Sequence, residues 1–261
     1  MTRPIVFLTD YGLEDEFVGI CHAVIARIAP GARVIDLTHG IPRQDVRRGA
    51  LVLGRAVPYL PADAVLLAVV DPGDGSARRS VAVEAASGLL LVGPDNGLLS
   101  HAFEAAGGAA RAVEIAASEV VLEPLSRTFH GRDVFAPAAA HLALGRPLEA
   151  LGPGVEPASL VRLEVPRARV EPGRVACEVT GVDRFGNVQL SATPADLAAA
   201  GLGEAFRLGH RWVRFADTFA DAPPGEVAAV EDSQGYVALI VNGGSAAQAT
   251  GLRVGDEVLL A

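Results

Sequence analysis

Between Asp71 and Arg79 the chain carries two aspartates, two glycines and two arginines, inside the segment Leu66 to Val83, LLAVVDPGDGSARRSVAV. The apolar run Ala64 to Val70 reads as a buried strand that delivers Asp71 into the turn Pro72-Gly73-Asp74-Gly75, and Arg78 and Arg79 lead into a second strand. α/β sheets build small-molecule sites from such parts: a carboxylate at the carboxyl end of a buried strand, glycines that admit a close backbone approach, and a guanidinium nearby. A solvated turn with a surface ion pair uses the same residue types, so the reading depends on what else the chain supplies.

Other polar groups recur at strand ends. Asp10 follows the strand Ile5–Leu8, where a lone carboxylate is placed to accept hydrogen bonds from a sugar diol or to ligate a metal. With no H-x-x-x-H or H-x-D spacing anywhere near it, no metal is expected. Glu14-Asp15-Glu16 read as charge complementing a helix start. In Asp36-Leu37-Thr38-His39-Gly40 the histidine either lines a cleft or caps the turn. Arg127-Thr128-Phe129-His130-Gly131-Arg132-Asp133 precedes a helix beginning near Val134, which aims its N–H groups and His130 at the sheet edge, although capping would also explain that histidine. Later, Asp183-Arg184-Phe185-Gly186-Asn187 joins two strands, as a tight turn or as an aromatic face with an amide at its edge. Phe219, Ser233, Tyr236 and Asn242 add groups of the same kinds.

These groups need a scaffold, and its pattern changes midway. The first part alternates strand and helix: Ile5–Leu8, a helix carrying Phe17, Cys21, Val24 and Ile28, the strand Arg33–Leu37, a helix through Val46 to Val57, then the strand into Asp71. That alternation predicts an α/β domain, a mainly parallel sheet with helices on both faces, over residues 1–152. Residues 153–172, rich in Pro and Gly, read as a linker. Residues 173–261 hold short apolar runs separated by turns and one helix, Pro194–Ala200, which predicts a small C-terminal β-barrel domain. Half of the 261 residues are hydrophobic, ample for a core, and the formal net charge of −9 argues against nucleic acid or an anionic membrane as partner. Cys21 and Cys177 lie far apart without C-x-x-C spacing and read as reduced thiols. No apolar run reaches bilayer length and Arg3 leads straight into a strand, so a soluble, cytoplasmic protein is expected.

Taken in order, FLTDYG, VVDPGDGSARRSVAV, PDNGLL, RTFHGRD, VDRFGNVQL, DTFAD and SQGYVALIVNGG resemble the S-adenosylmethionine hydroxide adenosyltransferases, the adenosine-forming S-adenosylmethionine hydrolases related to fluorinase and chlorinase. The resemblance spans nearly the whole chain. It implies an α/β domain with a seven-stranded sheet, a small β-barrel, and a homotrimer whose sites each join the first domain of one subunit to the second of a neighbour. It implies hydrolysis of S-adenosyl-L-methionine (SAM) to adenosine and L-methionine, with no cofactor beyond the substrate. Asp71, Arg78 and His130 would hold and polarise a water. Asp10 would meet the ribose hydroxyls, Asp183 the methionine ammonium, and Asn187 with the backbone around Asn242 the adenine. Phe129, Phe185 and Phe219 would line the pocket, and Ser233 and Tyr236 would bind the methionine end or the nucleoside.

Three departures or ambiguities accompany the resemblance. Asp74 stands where relatives often carry a small or apolar residue, and its charge would either repel hydroxide or face solvent. Gln234 replaces the arginine that halogenases place beside the methionine carboxylate. Arg79 is an alternative to Arg78, because adjacent side chains on a strand face opposite ways. Two other functions compete: a SAM-dependent halogenase, disfavoured because halogenases carry a tyrosine in place of Asp71, and a non-catalytic adenosine or SAM sensor.

Overall fold

The computed structural model describes residues 2–261, and the chain divides into two compact units, residues 1–164 and 165–261. In the first, strands β1 (Ile5–Thr9), β2 (Val34–Thr38), β3 (Val65–Val69), β4 (Ser80–Ala85), β5 (Leu90–Pro94), β6 (Ala109–Glu114) and β7 (Gly154–Val155) form one sheet in the order β2-β1-β3-β5-β4-β6-β7. The pairings are parallel from β2 to β5 and antiparallel beyond. Helices α1 (Phe17–Ile28), α2 (Val46–Ala56), α3 (Ser100–Ala105) and α4 (Ala136–Ala143) cover it.

Side-chain alternation explains the burial of both faces. Ile5 and Phe7 of β1 and Val65, Leu67 and Val69 of β3 pack with Cys21 and Ile25 of α1 and the alanines of α4. Val6 and Leu8, with Leu66, Ala68 and Val70, face the other way, against Leu53 of α2 and Ala102 and Phe103 of α3. A strand apolar at every position is what a sheet sandwiched between helix layers requires. Cys21 lies inside the first of these cores, where burial pushes its thiol up to about 12, and Cys177 behaves alike in the second unit; neither is a thiolate at neutral pH.

The order β2-β1-β3 places the reversal of the chain's winding between β1 and β3. After β1 the chain crosses to β2 on one side, then to β3 on the other. The crevice beyond the carboxyl ends of two such strands is where open α/β sheets bind ligands. Asp10 follows β1 and Asp71 follows β3, so two of the predicted site residues flank that crevice.

In the second unit, β8 (Arg169–Glu171), β9 (Arg174–Val182), β10 (Val188–Leu190), β11 (Ala205–Leu208), β12 (Arg211–Phe215), β13 (Val227–Glu231), β14 (Val237–Val241) and β15 (Glu257–Leu260) are joined by α5 (Pro194–Ala199) and α6 (Ala246–Thr250). The ring β10-β14-β13-β12-β11-β15-β9 returns to β10, closing a seven-stranded barrel, with β8 paired outside it on β9. Val179, Leu190, Phe206, Val213 and Leu239 fill its interior.

Candidate active site

Asp71, Arg78 and His130 come together. Arg78 Nε lies 3.1 and 3.0 Å from the two carboxylate oxygens of Asp71, and its Nη2 makes a further, very close contact with Oδ2. Arg78 Nη1 donates to Ser80 Oγ at 2.7 Å, while Nη2 lies 2.9 Å from His130 Nδ1, a residue 52 positions away. The Asp71 and Arg78 side chains are 5% and 10% exposed, so this is a desolvated fork-to-fork pair rather than a surface contact. Phe135 lies beneath the guanidinium at 5.2 Å. Arg79 points elsewhere: it pairs with Asp95 and reaches the backbone carbonyl of Ser159, so of the two arginines it is Arg78 that shares a cluster with Asp71 and His130.

The loop geometry makes this possible. Asp74 N–H donates to the Asp71 carbonyl and Ser76 N–H to that of Gly73, folding 71–76 into consecutive turns. Gly75 has φ of +76°, and a Cβ there would strike the Arg127 carbonyl, so the loop closes on its neighbour only with glycine. His130 is delivered by a wide helical turn, Gly131–Phe135, in which Ala136 N–H reaches back to the Gly131 carbonyl before α4 begins. Turns of this wide type recur at functional sites. Here it spans the expected helix start near Val134, so that regular α-helix begins only at Ala136. Gly131 also leaves room for the Tyr11 hydroxyl, which a Cβ would displace.

Asp74 is the group whose placement the sequence left open. Its Oδ1 lies 2.8 Å from His130 Nδ1 and 3.4 Å from Arg78 Nη2, and its Oδ2 is 3.4 Å from the His130 backbone N–H. Nδ1 therefore faces a carboxylate and a guanidinium at once. An arginine only donates, and Arg78 already has Asp71 as acceptor; a proton on Nδ1 directed to Asp74 satisfies every partner and leaves the Nε2 lone pair free. That tautomer is assigned from the network.

A cleft of about 740 Å³ opens beside this cluster, lined by Asp10, Tyr11, Phe17, Asp71, Asp74 and Phe129 among others. Tyr11, Phe17 and Phe129 form an apolar wall of mutually tilted rings with centroids 5.2 to 5.9 Å apart. Burial, with smaller contributions from Cys21, Asp74, Asp10 and Asp71, raises the Tyr11 phenol well above its ordinary range, keeping it a neutral hydroxyl. Asp10 Oδ2 accepts from Gln44 N–H at 2.7 Å.

The remaining predicted binding residues lie in the second unit. Asp183 Oδ1 accepts from the N–H groups of Phe185 and Asn187, both at 2.9 Å, and Oδ2 from Asn187 Nδ2 at 2.7 Å. A matching turn follows β13: Asp232 Oδ1 accepts from Gln234 and Tyr236 N–H groups, and Ser233 lies within it. Asn242 Nδ2 donates to the Ala222 carbonyl at 3.0 Å. Phe185 and Phe219 are 77% and 52% exposed. A hollow of about 650 Å³ in this unit is lined by Leu197, Leu202, Arg214, Phe215 and Asp221, and by none of the predicted binding residues.

Comparison with known proteins agrees with this division. Residues 5–152 match the SAM hydroxide adenosyltransferase N-terminal domain, and residues 177–259 the C-terminal domain of the same family. The chain is 55% identical, over 98% of its length and 97% of the relative's, to an (R)-S-adenosyl-L-methionine hydrolase of Salinispora arenicola. A fluorinase of Actinopolyspora mzabensis is 30% identical over 98% of this chain and 97% of its own. A crystal structure of an uncharacterized conserved protein from Thermotoga maritima superposes with a TM-score of 0.90 at 38% identity, covering 98% of this chain and 99% of that one.

Proposed function

This chain belongs to the SAM hydroxide adenosyltransferase family, and we propose that it hydrolyses S-adenosyl-L-methionine to adenosine and L-methionine. The observation that carries this reading is the desolvated cluster of Asp71, Arg78, His130 and Asp74 at the sheet's switch point.

A sulfonium carries its own leaving group, so the chain has to place one oxygen in line behind C5′ and exclude competing water. In the proposed step the water oxygen bonds to C5′, the C5′–S bond breaks with its electron pair going to sulfur, and methionine leaves as a neutral thioether. The water's proton passes to His130 Nε2, whose opposite nitrogen is held by Asp74; Asp71, fixed by Arg78, accepts a hydrogen bond from the water and orients it. Asp10 takes the ribose diol, and the Tyr11–Phe129 wall packs the nucleoside. The step uses no metal or cofactor. Two carboxylates at the nucleophile's position repel a halide, which favours water over the chemistry of the fluorinase relative.

The exposed aromatics of the barrel belong to the same proposal. Phe185, Asn187 and Asp183, with Phe219, Ser233, Tyr236 and Asn242, would close over adenine and the methionine end in a neighbouring copy's cleft, which makes the working form a homotrimer, in the cytoplasm. Light scattering checks the assembly.

Incubation with SAM in ¹⁸O-water tests the reaction. The expected product is adenosine bearing the label at its 5′ oxygen; unlabelled adenosine, or a 5′-halo nucleoside on adding halide, would overturn it.

A further inference from the structure

We propose that His22, Asp36 and His39 form a binding site for a divalent transition ion of the zinc class, at the edge of the cleft that His39 itself helps to line. His22 comes from α1, Asp36 from β2, and His39 from the turn after β2. One ligand atom from each lies within 4.8 Å of the other two. His22 Nε2 is 2.8 Å from Asp36 Oδ1, and His39 Nε2 is 3.1 Å from the same oxygen.

The His39 ring points to an ion rather than to a simple ion pair. Its side chain is 3% exposed, and its Nε2 faces Asp36 Oδ1 at 3.1 Å without a well-formed hydrogen bond. A buried imidazole nitrogen left without a partner costs free energy unless something else occupies its lone pair. On the ring's other side Nδ1 lies 2.9 Å from Thr9 Oγ1, and Phe7 packs edge-on at 4.9 Å. A second nitrogen hydrogen-bonded to a fixed oxygen, with the ring clamped by packing, is the arrangement that orients metal-binding histidines.

The donor set selects the ion. Two imidazoles and one carboxylate suit zinc and its neighbours, whereas magnesium and calcium take oxygen donors. Ligands about 2.0–2.2 Å from a common ion sit roughly 3.4 Å apart in a tetrahedron, so the present contacts need to open only slightly. His22 and Asp36 are partly exposed, which leaves a path for entry and a position for water. The bound ion would tie α1 to the end of β2 and to the segment from His39, whose carbonyl accepts from Gly12 N–H, to Gln44, whose N–H holds Asp10. It would thus clamp one rim of the cleft. This inference rests on the cluster's geometry and not on the SAM reading.

The test is a Zn²⁺ titration of chelator-treated protein, followed by calorimetry and thermal melts, with Mg²⁺ as control and Co²⁺ as a spectroscopic probe. One equivalent should bind per chain and raise the melting temperature, with no rise from Mg²⁺. At a Zn²⁺ concentration 100 times the dissociation constant the folded-to-unfolded ratio should rise about 100-fold. His22→Asn and Asp36→Asn should abolish the rise and the cobalt bands, while His130→Asn keeps both. Absence of binding, or an undiminished response in His22→Asn and Asp36→Asn, overturns the proposal.

Discussion

On either side of β1 the chain brings carboxylate and imidazole together, once beyond the end of β3 and once at the end of β2. At the first place Asp71 and Asp74 meet His130 around Arg78. At the second, Asp36 Oδ1 meets His22 Nε2 at 2.8 Å and the buried His39 Nε2 at 3.1 Å. The residue types are nearly the same, and the guanidinium makes the difference. A fixed cation lets two acids and an imidazole share a desolvated space, and it leaves His130 Nε2 available for a reacting proton. At the second place one carboxylate is shared by two imidazoles, a donor set that an added ion would use.

The most severe way to break this comparison is to remove the cation. Arg78→Met leaves Asp71 buried and unpaired, and should cost about 3–5 kcal/mol in denaturant unfolding as well as turnover; an unchanged unfolding midpoint would show that the cluster does not depend on its arginine. Asp71→Asn keeps the shape and removes the charge. Adenosine release should then fall about 10²–10⁴-fold while SAM still binds, a split readable from kcat and KM. Asp74→Asn tests orientation rather than chemistry: kcat should drop about 10-fold at unchanged KM, whereas a purely structural Asp74 would leave kcat per folded molecule in place.

Acid titration sharpens the contrast at smaller scale. Asp133, behind His130, is nearly fully buried; burial would raise its carboxyl, but Arg132 and the Ser126 N–H outweigh it, and its folded pKa is lowered. A lowered folded value means stability that is complete above the unfolded pKa, near 4, and lost as pH falls through the folded one. Asp36 follows the same sign, with imidazoles in place of a guanidinium. Unfolding free energy should decline below about pH 4, and Asp133→Asn should flatten that decline more than Asp36→Asn, whose half-exposed pairing is worth about 0–1 kcal/mol. Equal flattening by both would place imidazole and guanidinium on the same footing.

Much of the architecture is legible in the chain. Apolar runs such as Ile5–Leu8 and Ala64–Val70, alternating with helical spacing, announce strands buried on both faces, and the shift to short runs after residue 173 announces the barrel. Less legible were β7, β8 and β11, because two to four residues such as Ala205–Leu208 carry too little periodicity to stand out before a neighbour pairs with them. The wide turn at Gly131–Phe135 was hidden likewise, since its hydrogen bonds depend on what packs against α4.

Within the site, Asp71 stands out at a strand end before a glycine turn, whereas joining it to Arg78 and His130 took the resemblance of the ordered motifs to a family, since His130 by itself reads equally well as a cap. Local spacing did not reveal that Asp74 turns toward His130, that Arg79 turns away to Asp95, or that His22 meets Asp36 from another element. Those are distances between segments that share no local pattern. They are settled only when β1, β2 and β3 lie side by side and the helices close over them, because a charge or lone pair takes its role from the partner that the packed sheet sets within 3 Å of it.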